Sequence, residues 1–181
     1  MSQYYFDLET TGFNPEKDKI ITIQFQELND LGIPKAPLTI LKEWESSEEK
    51  IIEEIHKRFF DYSYWHFIPI GTNLIFDLTF LFTKFKKYNL DSPELSKFLY
   101  NKPNIDIKDS LVLANSMNFK GSGLDNMTNK KTDGRNIPIW HGEKKFNLIE
   151  DYIKQETESF IEFLQKLISK LKELKNDKKE D

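Results

Sequence analysis

Two stretches near the start of the chain alternate between apolar and polar residues. Ser2–Glu9 does so loosely, and Ile20–Leu28, with Ile-Thr-Ile-Gln-Phe-Gln at its centre, does so with clean period two. That alternation marks strands with one buried face. Thr-Thr-Gly-Phe-Asn-Pro at 10–15 separates them and is turn chemistry. Pro34 and Pro37 bracket a second turn, and Leu38–Trp44 reads as a third strand. Connections this short predict an antiparallel meander. Ser46 or Ser47 is placed to cap a helix running to about Phe60, with Glu48 and Glu49 in its first turn. The pattern then changes. His66–Gly71 is a short apolar run suited to a strand buried on both faces, and Leu74–Tyr88 follows at helical spacing, with Leu74, Leu78, Leu81 and Phe85 on one stripe. Asn104–Ile107 reads as another strand, Ser110–Met117 as a helix, 118–145 as a long, partly irregular segment, and Asn147–Lys175 as a long final helix. Helices alternating with short apolar strands imply crossovers and parallel pairing. The expected fold is α/β: a mixed sheet, three antiparallel strands and then parallel βα units, flanked by helices. Residues 1–175 are expected to form one domain and 176–181 a frayed, charged C-terminus.

Composition narrows the class. The 181 residues carry 26 Lys+Arg against 30 Asp+Glu, a formal charge of -4, with 38% hydrophobic and 31% charged residues. That balance fits a folded domain rather than a disordered tail. The apolar runs stop well short of the roughly 18 residues of a membrane span, and the N-terminal stretch has no leader pattern. There is no cysteine, so disulfides, thiolate metal sites and a cysteine nucleophile are excluded. A cytoplasmic protein without membrane association is expected. Mild acidity argues against non-specific coating of nucleic acid, but not against an enzyme acting on it, because bound cations restore the attraction of a carboxylate site for phosphate.

Three constellations carry candidate chemistry. In Tyr5-Phe6-Asp7-Leu8-Glu9-Thr10-Thr11-Gly12, Asp7 and Glu9 share one strand face while Phe6 and Leu8 take the other. Adjacent carboxylates repel, and a hard divalent cation removes the repulsion. In Gly71-Thr72-Asn73-Leu74-Ile75-Phe76-Asp77, Asp77 falls one turn into a helix that leaves a parallel strand, where ligands of open α/β sheets gather; Asn73 is placed to cap that helix. In the last helix, Ile149, Ile153, Phe160, Leu164, Leu167 and Leu171 form a stripe on which Glu156 occupies an apolar position. Tyr152 neighbours it four residues earlier, and Asp151 falls on the polar face. Periodicity therefore selects Glu156 over Asp151 as an inward carboxylate.

These motifs resemble the DEDD 3'–5' exonucleases of the ribonuclease H-like superfamily. That family carries Asp-x-Glu on its first strand, often followed by Thr-Thr-Gly, matched by Phe6–Gly12. Its second motif, Asn followed within a few residues by Phe/Tyr-Asp, is matched by Asn73–Asp77. Its Tyr subclass carries Tyr-x-x-x-Asp on a late helix, matched by Tyr152–Glu156 with Glu in place of Asp. The His subclass fits less well, because Phe146 lies five residues after His141, which reads as a loop residue. Order and spacing agree over about residues 4–160. The resemblance implies a ribonuclease H-like fold and two Mg²⁺ or Mn²⁺ ions. Asp7 would bridge them, Glu9 and Glu156 would complete the water-activating one, Asp77 would hold the second, and Tyr152 would orient the attacking water. It implies substrate contacts from the backbone at Thr10 and Thr11 and stacking by Phe13; Asn73 either contacts substrate or only caps its helix. The extra methylene of Glu156 would lower activity or favour Mn²⁺. Asp106 is read as structural or supporting rather than as a ligand.

The expected substrate is a single-stranded DNA or RNA 3' end, degraded to nucleoside monophosphates, with any polymerase or repair or RNA-processing partner acting in trans. Lys130, Lys131, Arg135, Lys144 and Lys145, against Asp133 and Glu143, form the best candidate for a phosphate-tracking surface. Trp140 within it either stacks on a base or anchors the loop in the core. The Lys-rich end from Lys166 is a solvated helix end. Two rivals are a non-catalytic binding module and a ribonuclease H-like endonuclease.

Overall fold

The computed structural model describes residues 1–60, 63, 65–127 and 134–176. Its sheet has five strands in the order β3-β2-β1-β4-β5, formed by β1 (Gln3–Thr10), β2 (Ile20–Leu28), β3 (Thr39–Lys42), β4 (Ile68–Gly71) and β5 (Ile105–Asp106). β1, β2 and β3 pair antiparallel, and β4 joins β1, and β5 joins β4, in parallel. The expected mixed sheet is therefore present. The third strand is shorter than Leu38–Trp44, because Glu43–Glu45 winds into a 3₁₀ turn.

One face of the sheet buries Phe6, Leu8, Ile23 and Phe25. It is covered by α1 (Glu48–Phe60) and α2 (Leu74–Lys87), with α3 (Leu95–Asn101) against them. The N-terminus of α1 is capped by Ser47, whose Oγ accepts from the Lys50 N–H at 3.2 Å. The stripe Ile51, Ile52, Ile55, Phe59 faces the sheet. Helix α3 was not expected from the sequence: it buries one side chain, Phe98, too few for a visible period.

The opposite face carries α4 (Lys108–Ala114), α5 (Leu124–Met127), α6 (Ile137–Gly142) and α7 (Phe146–Asn176). The expected helix at Ser110–Met117 begins earlier and stops at Ala114, because Ser116 and Met117 have φ of 55° and 62°, outside the right-handed helical region. The segment at 118–145 holds α5 and α6, both too short to show a period; its residues 128–133 lie outside the described residues. The 31-residue α7 lies along this face, burying Ile149, Tyr152, Ile153, Phe160 and Leu164. Among the described residues no helix is long and apolar enough to cross a membrane.

Lys102 is only 2% exposed. Its Nζ donates to the carbonyl of Phe59 in the last turn of α1 at 2.8 Å and lies over the Phe59 and Phe98 rings. Burial pushes its pKa down to about 8. Between about pH 8 and the ordinary lysine value near 10.4 the unfolded chain holds a proton that the native chain has lost. Stability rises with pH across that window, and below about pH 8 the full penalty is present. Lys102→Met is expected to gain stability relative to the parent at pH 7, a gap that closes by about pH 10 in urea unfolding.

Candidate active site

The site is built on the face of β1 that does not enter the Phe6–Leu8 core. Register places Tyr5, Asp7 and Glu9 opposite Gln26, Gln24 and Thr22 of β2. Asp7 Oδ2 accepts from Gln24 Nε2 at 2.7 Å and from the Tyr5 hydroxyl at 3.4 Å. Gln24 Oε1 in turn accepts from the Thr22 hydroxyl at 3.0 Å. Thr22 and Gln24 are buried, so this chain of polar side chains holds Asp7 from inside the sheet. Sequence reasoning missed both; polar residues on a strand otherwise rich in Ile and Phe were the available signal.

α7 brings the third constellation onto that face. Asp7, Glu9 and Glu156 each offer a carboxylate oxygen, and these atoms lie within 4.8 Å of one another. Asp151 faces solvent, as the helical period requires. Tyr152 is buried, and its hydroxyl bonds the Glu156 carboxylate. Burial pushes the phenol well above its ordinary range, and the charges of Glu156 and Glu9 push the same way. Tyr152 therefore stays a neutral donor. A Cβ added at Gly134 would stand 2.8 Å from the Tyr152 hydroxyl, so only glycine lets the backbone approach that closely. Nothing in the local pattern at 134 announced this.

Asp77 enters from the far side of β1. It is 3% exposed. Burial holds its carboxyl well above the usual range, the charge of Asp7 adds to the shift, and backbone hydrogen bonds at Asp77 itself and Leu8 oppose it. The structure thus groups Asp7, Glu9, Glu156 and Tyr152 and sets Asp77 beside Asp7.

The expected Asn73 side-chain cap is not made. Asn73 sits before α2 in the left-handed region, φ 62° and ψ 40°, with no side-chain cap bond. Asn tolerates that conformation. Asp106 of β5 caps the helix instead: Oδ1 accepts from the N–H of Asn73 at 2.8 Å and of Lys108 at 2.9 Å, and Oδ2 from the N–H of Leu74 at 2.8 Å. A carboxylate at a helix N-terminus also opposes the positive end of its dipole. Asp106 is structural, as expected, and the Asn73 side chain is left exposed.

The loop after β1 is stiff. Thr10 Oγ1 donates to the Gly12 carbonyl at 2.6 Å, Thr11 Oγ1 accepts from the Lys19 N–H at 2.9 Å, and Asp18 Oδ2 accepts from the Asn14 N–H at 2.8 Å. Phe13 is 86% exposed, edge-on to Phe76 at 6.2 Å. Glu9, Thr10, Phe13, Phe76 and Arg135 line a cleft of about 450 Å³ beside the carboxylates. A larger groove, about 760 Å³, runs between β3 and α1; it contains none of the candidate residues, and most of its charges are paired with one another, so the smaller cleft is the relevant one.

Of the basic segment, Lys130, Lys131 and Asp133 lie outside the described residues. Arg135 reaches the cleft, while Lys145 pairs with Glu143 at 2.7 Å on the surface. Trp140 packs against the cluster of Ile21, Ile137, Ile149, Tyr152 and Ile153, so it anchors α6. His141 Nε2 lies 3.2 Å from Glu43 Oε2, tying α6 to the turn after β3.

No curated protein sequence matches this chain. Among solved structures, the chain is similar to the zinc-bound form of E. coli exonuclease I in complex with single-stranded DNA (TM-score 0.56, 14% identity, 71% of this chain). It is also similar to exonuclease I in a structure addressing processivity (TM-score 0.54, 13% identity, 69% of this chain) and to an ExoI/SSB-Ct complex (TM-score 0.51, 14% identity, 66% of this chain). The likeness is one of fold, and it spans 34%, 34% and 31% of those chains, about a third of their length. It fits the DEDD resemblance of the motifs. The family model described as RNase_H superfamily matches residues 4–169, nearly the whole chain, and on that match the protein belongs to the ribonuclease H superfamily.

Proposed function

We propose that this protein is a divalent-metal-dependent 3'–5' exonuclease that shortens single-stranded nucleic acid, releasing nucleoside monophosphates. The observation that carries this reading is the convergence of Asp7, Glu9 and Glu156 within 4.8 Å, with Asp77 beside Asp7. The donor set is all carboxylate oxygen, which suits Mg²⁺ or Mn²⁺. Two ions are proposed, and Asp7, Glu9, Glu156 and Asp77 would hold them. Bound cations supply a nucleophilic water at neutral pH and neutralise charge on the phosphodiester. The protein supplies the rest. Gln24 and Tyr5 fix the rotamer of Asp7. Tyr152 presents a protonated hydroxyl at the edge of the cluster to orient the attacking water. Phe13 and Phe76 offer aromatic surface for the terminal base, and Thr10 lines the same cleft. Asn73, freed from capping, is available to substrate. Structural neighbours include an exonuclease I bound to single-stranded DNA, which supports a single strand as substrate. A cytoplasmic setting, with a polymerase or repair or RNA-processing partner in trans, belongs to the same reading.

The test is hydrolysis of 5'-labelled single-stranded DNA and RNA oligonucleotides, and of a circular single strand, with Mg²⁺, Mn²⁺ or EDTA. The expected result is a metal-dependent ladder shortening from the 3' end, faster in Mn²⁺, with the circle untouched. Binding without cleavage would make the protein a binding module, and a cut circle would make it an endonuclease.

A further inference from the structure

Lys84 is a deeply buried cation near the site, 1% exposed, in the last turn of α2, whose buried side chains are otherwise mostly Leu and Phe. Burying an ammonium is costly unless its donors are satisfied, and its partners are specific. Nζ donates to the carbonyls of Pro15 at 2.8 Å and Asp18 at 2.5 Å, and lies 3.6 Å from Glu48 Oε1. Glu48 is itself buried and accepts from the Ile20 N–H at 2.9 Å, from Lys87 at 2.8 Å and from the Tyr88 hydroxyl at 2.6 Å. Lys84 therefore grips the loop from Thr11 to Lys19 that returns from β1 to β2, and Glu48 holds Ile20, the first residue of β2 after it.

That loop carries Gly12 and Phe13, and its carbonyls at 15 and 18 point into the protein rather than at substrate. Lys84 lies seven residues after Asp77 on α2, two turns and roughly 10 Å along the same face. One helix thus holds a candidate metal carboxylate in its first turn and the clamp on the Phe13 loop in its last, and its Phe76, next to Asp77, meets Phe13. We infer that Lys84 is a positioning residue. It sets the height of the Phe13 loop above the carboxylate cluster and so determines how tightly the terminal base of a single strand is gripped. The inference rests on the substrate reading above, but not on turnover.

The test is equilibrium binding, in Ca²⁺, of two single-stranded oligonucleotides, one with an intact 3'-terminal base and one with an abasic 3'-terminal sugar. Stacking contacts change affinity about 5- to 150-fold per base. Lys84→Met is expected to weaken binding of the intact end about tenfold and to leave the abasic end unchanged, so that the variant no longer distinguishes the two. Gly12→Ala gives a second route, because a Cβ there would meet the Asp18 carboxylate at 2.5 Å, pushing it off the Asn14 N–H that it holds in the same loop while Lys84 and the core stay intact. It is expected to show the same end-specific loss. A Lys84→Met that weakens both ends equally, or neither, overturns the inference, as does a Gly12→Ala variant that keeps full discrimination. If the parent protein binds ends with discrimination but hydrolyses neither DNA nor RNA, the exonuclease reading falls while the Lys84 inference is still decided by the variants. A parent that does not distinguish the two ends overturns the inference as well.

Discussion

Asp7→Asn is expected to reduce hydrolysis of a 5'-labelled oligonucleotide by at least about 10³-fold without loosening the fold. Asp7 is the one carboxylate that touches every other part of the site: Glu9 and Glu156 lie within 4.8 Å of it, its charge acts on Asp77, and Gln24 and Tyr5 hold it in place. Removing its charge would withdraw a central donor from the proposed metal site. Metal stabilisation of the transition state is worth several kcal/mol, and each 1.36 kcal/mol is tenfold in rate. Asparagine keeps a carbonyl oxygen where Gln24 Nε2 donates, so the buried amide is not orphaned; alanine would orphan it at about 1–3 kcal/mol. Single-turnover rates in saturating Mg²⁺, beside a thermal melt, separate the two effects. Unchanged turnover in Asp7→Asn would remove this site from the chemistry.

Asp77→Asn should also abolish turnover, yet it should make the metal-free protein more stable at pH 7–8. Burial and the charge of Asp7 raise the Asp77 carboxyl well above its unfolded value. The native state then binds the proton more tightly than the unfolded state. The stability that this lends is complete below the unfolded carboxylate range and is lost as pH rises through the folded value. At neutral pH and above, the metal-free wild type bears that loss, and an amide does not. The melting temperature of Asp77→Asn should therefore exceed that of wild type in EDTA at pH 8, by about 2–4 °C for each 1 kcal/mol. The difference should vanish or reverse near pH 4. Adding Mg²⁺ should stabilise the wild type more than the variant, because ligand that binds only the native state adds to stability. A variant no more stable than wild type in EDTA at pH 8 would show that Asp77 is not strained there.

What period and composition could reveal, and what they could not, follows from the range of the interactions. Strand alternation places Asp7 and Glu9 on one face, and helical period separates Glu156 from Asp151, because both depend on residues adjacent in sequence. The antiparallel pairing of β1, β2 and β3 follows from their short connections for the same reason. Asp106 capping α2 across 32 residues, Gly134 making room for the Tyr152 hydroxyl, and Gln24 bonding Asp7 across the β1–β2 register are contacts between distant segments. No local pattern encodes them. Asn73 shows the cost of reading such a place locally: it stands where an N-cap belongs, but a carboxylate from another strand does the capping. Lys84 and Lys102 escaped notice because a lysine in or just beyond a helix ordinarily reaches solvent, and burial of a cation is decided by carbonyls that only the folded chain brings near.

The cluster draws its parts from both extremes of the chain, Asp7 and Glu9 from the first strand and Tyr152 and Glu156 from the last helix. A polypeptide leaves the ribosome with its N-terminus first, at about 5–20 residues per second. The first two acids are therefore made some 145 residues, or roughly seven to thirty seconds, before their partners. A half-synthesised chain can pair β1 with β2 yet cannot assemble the triad. The proposed hydrolysis is thus deferred until α7 has been translated.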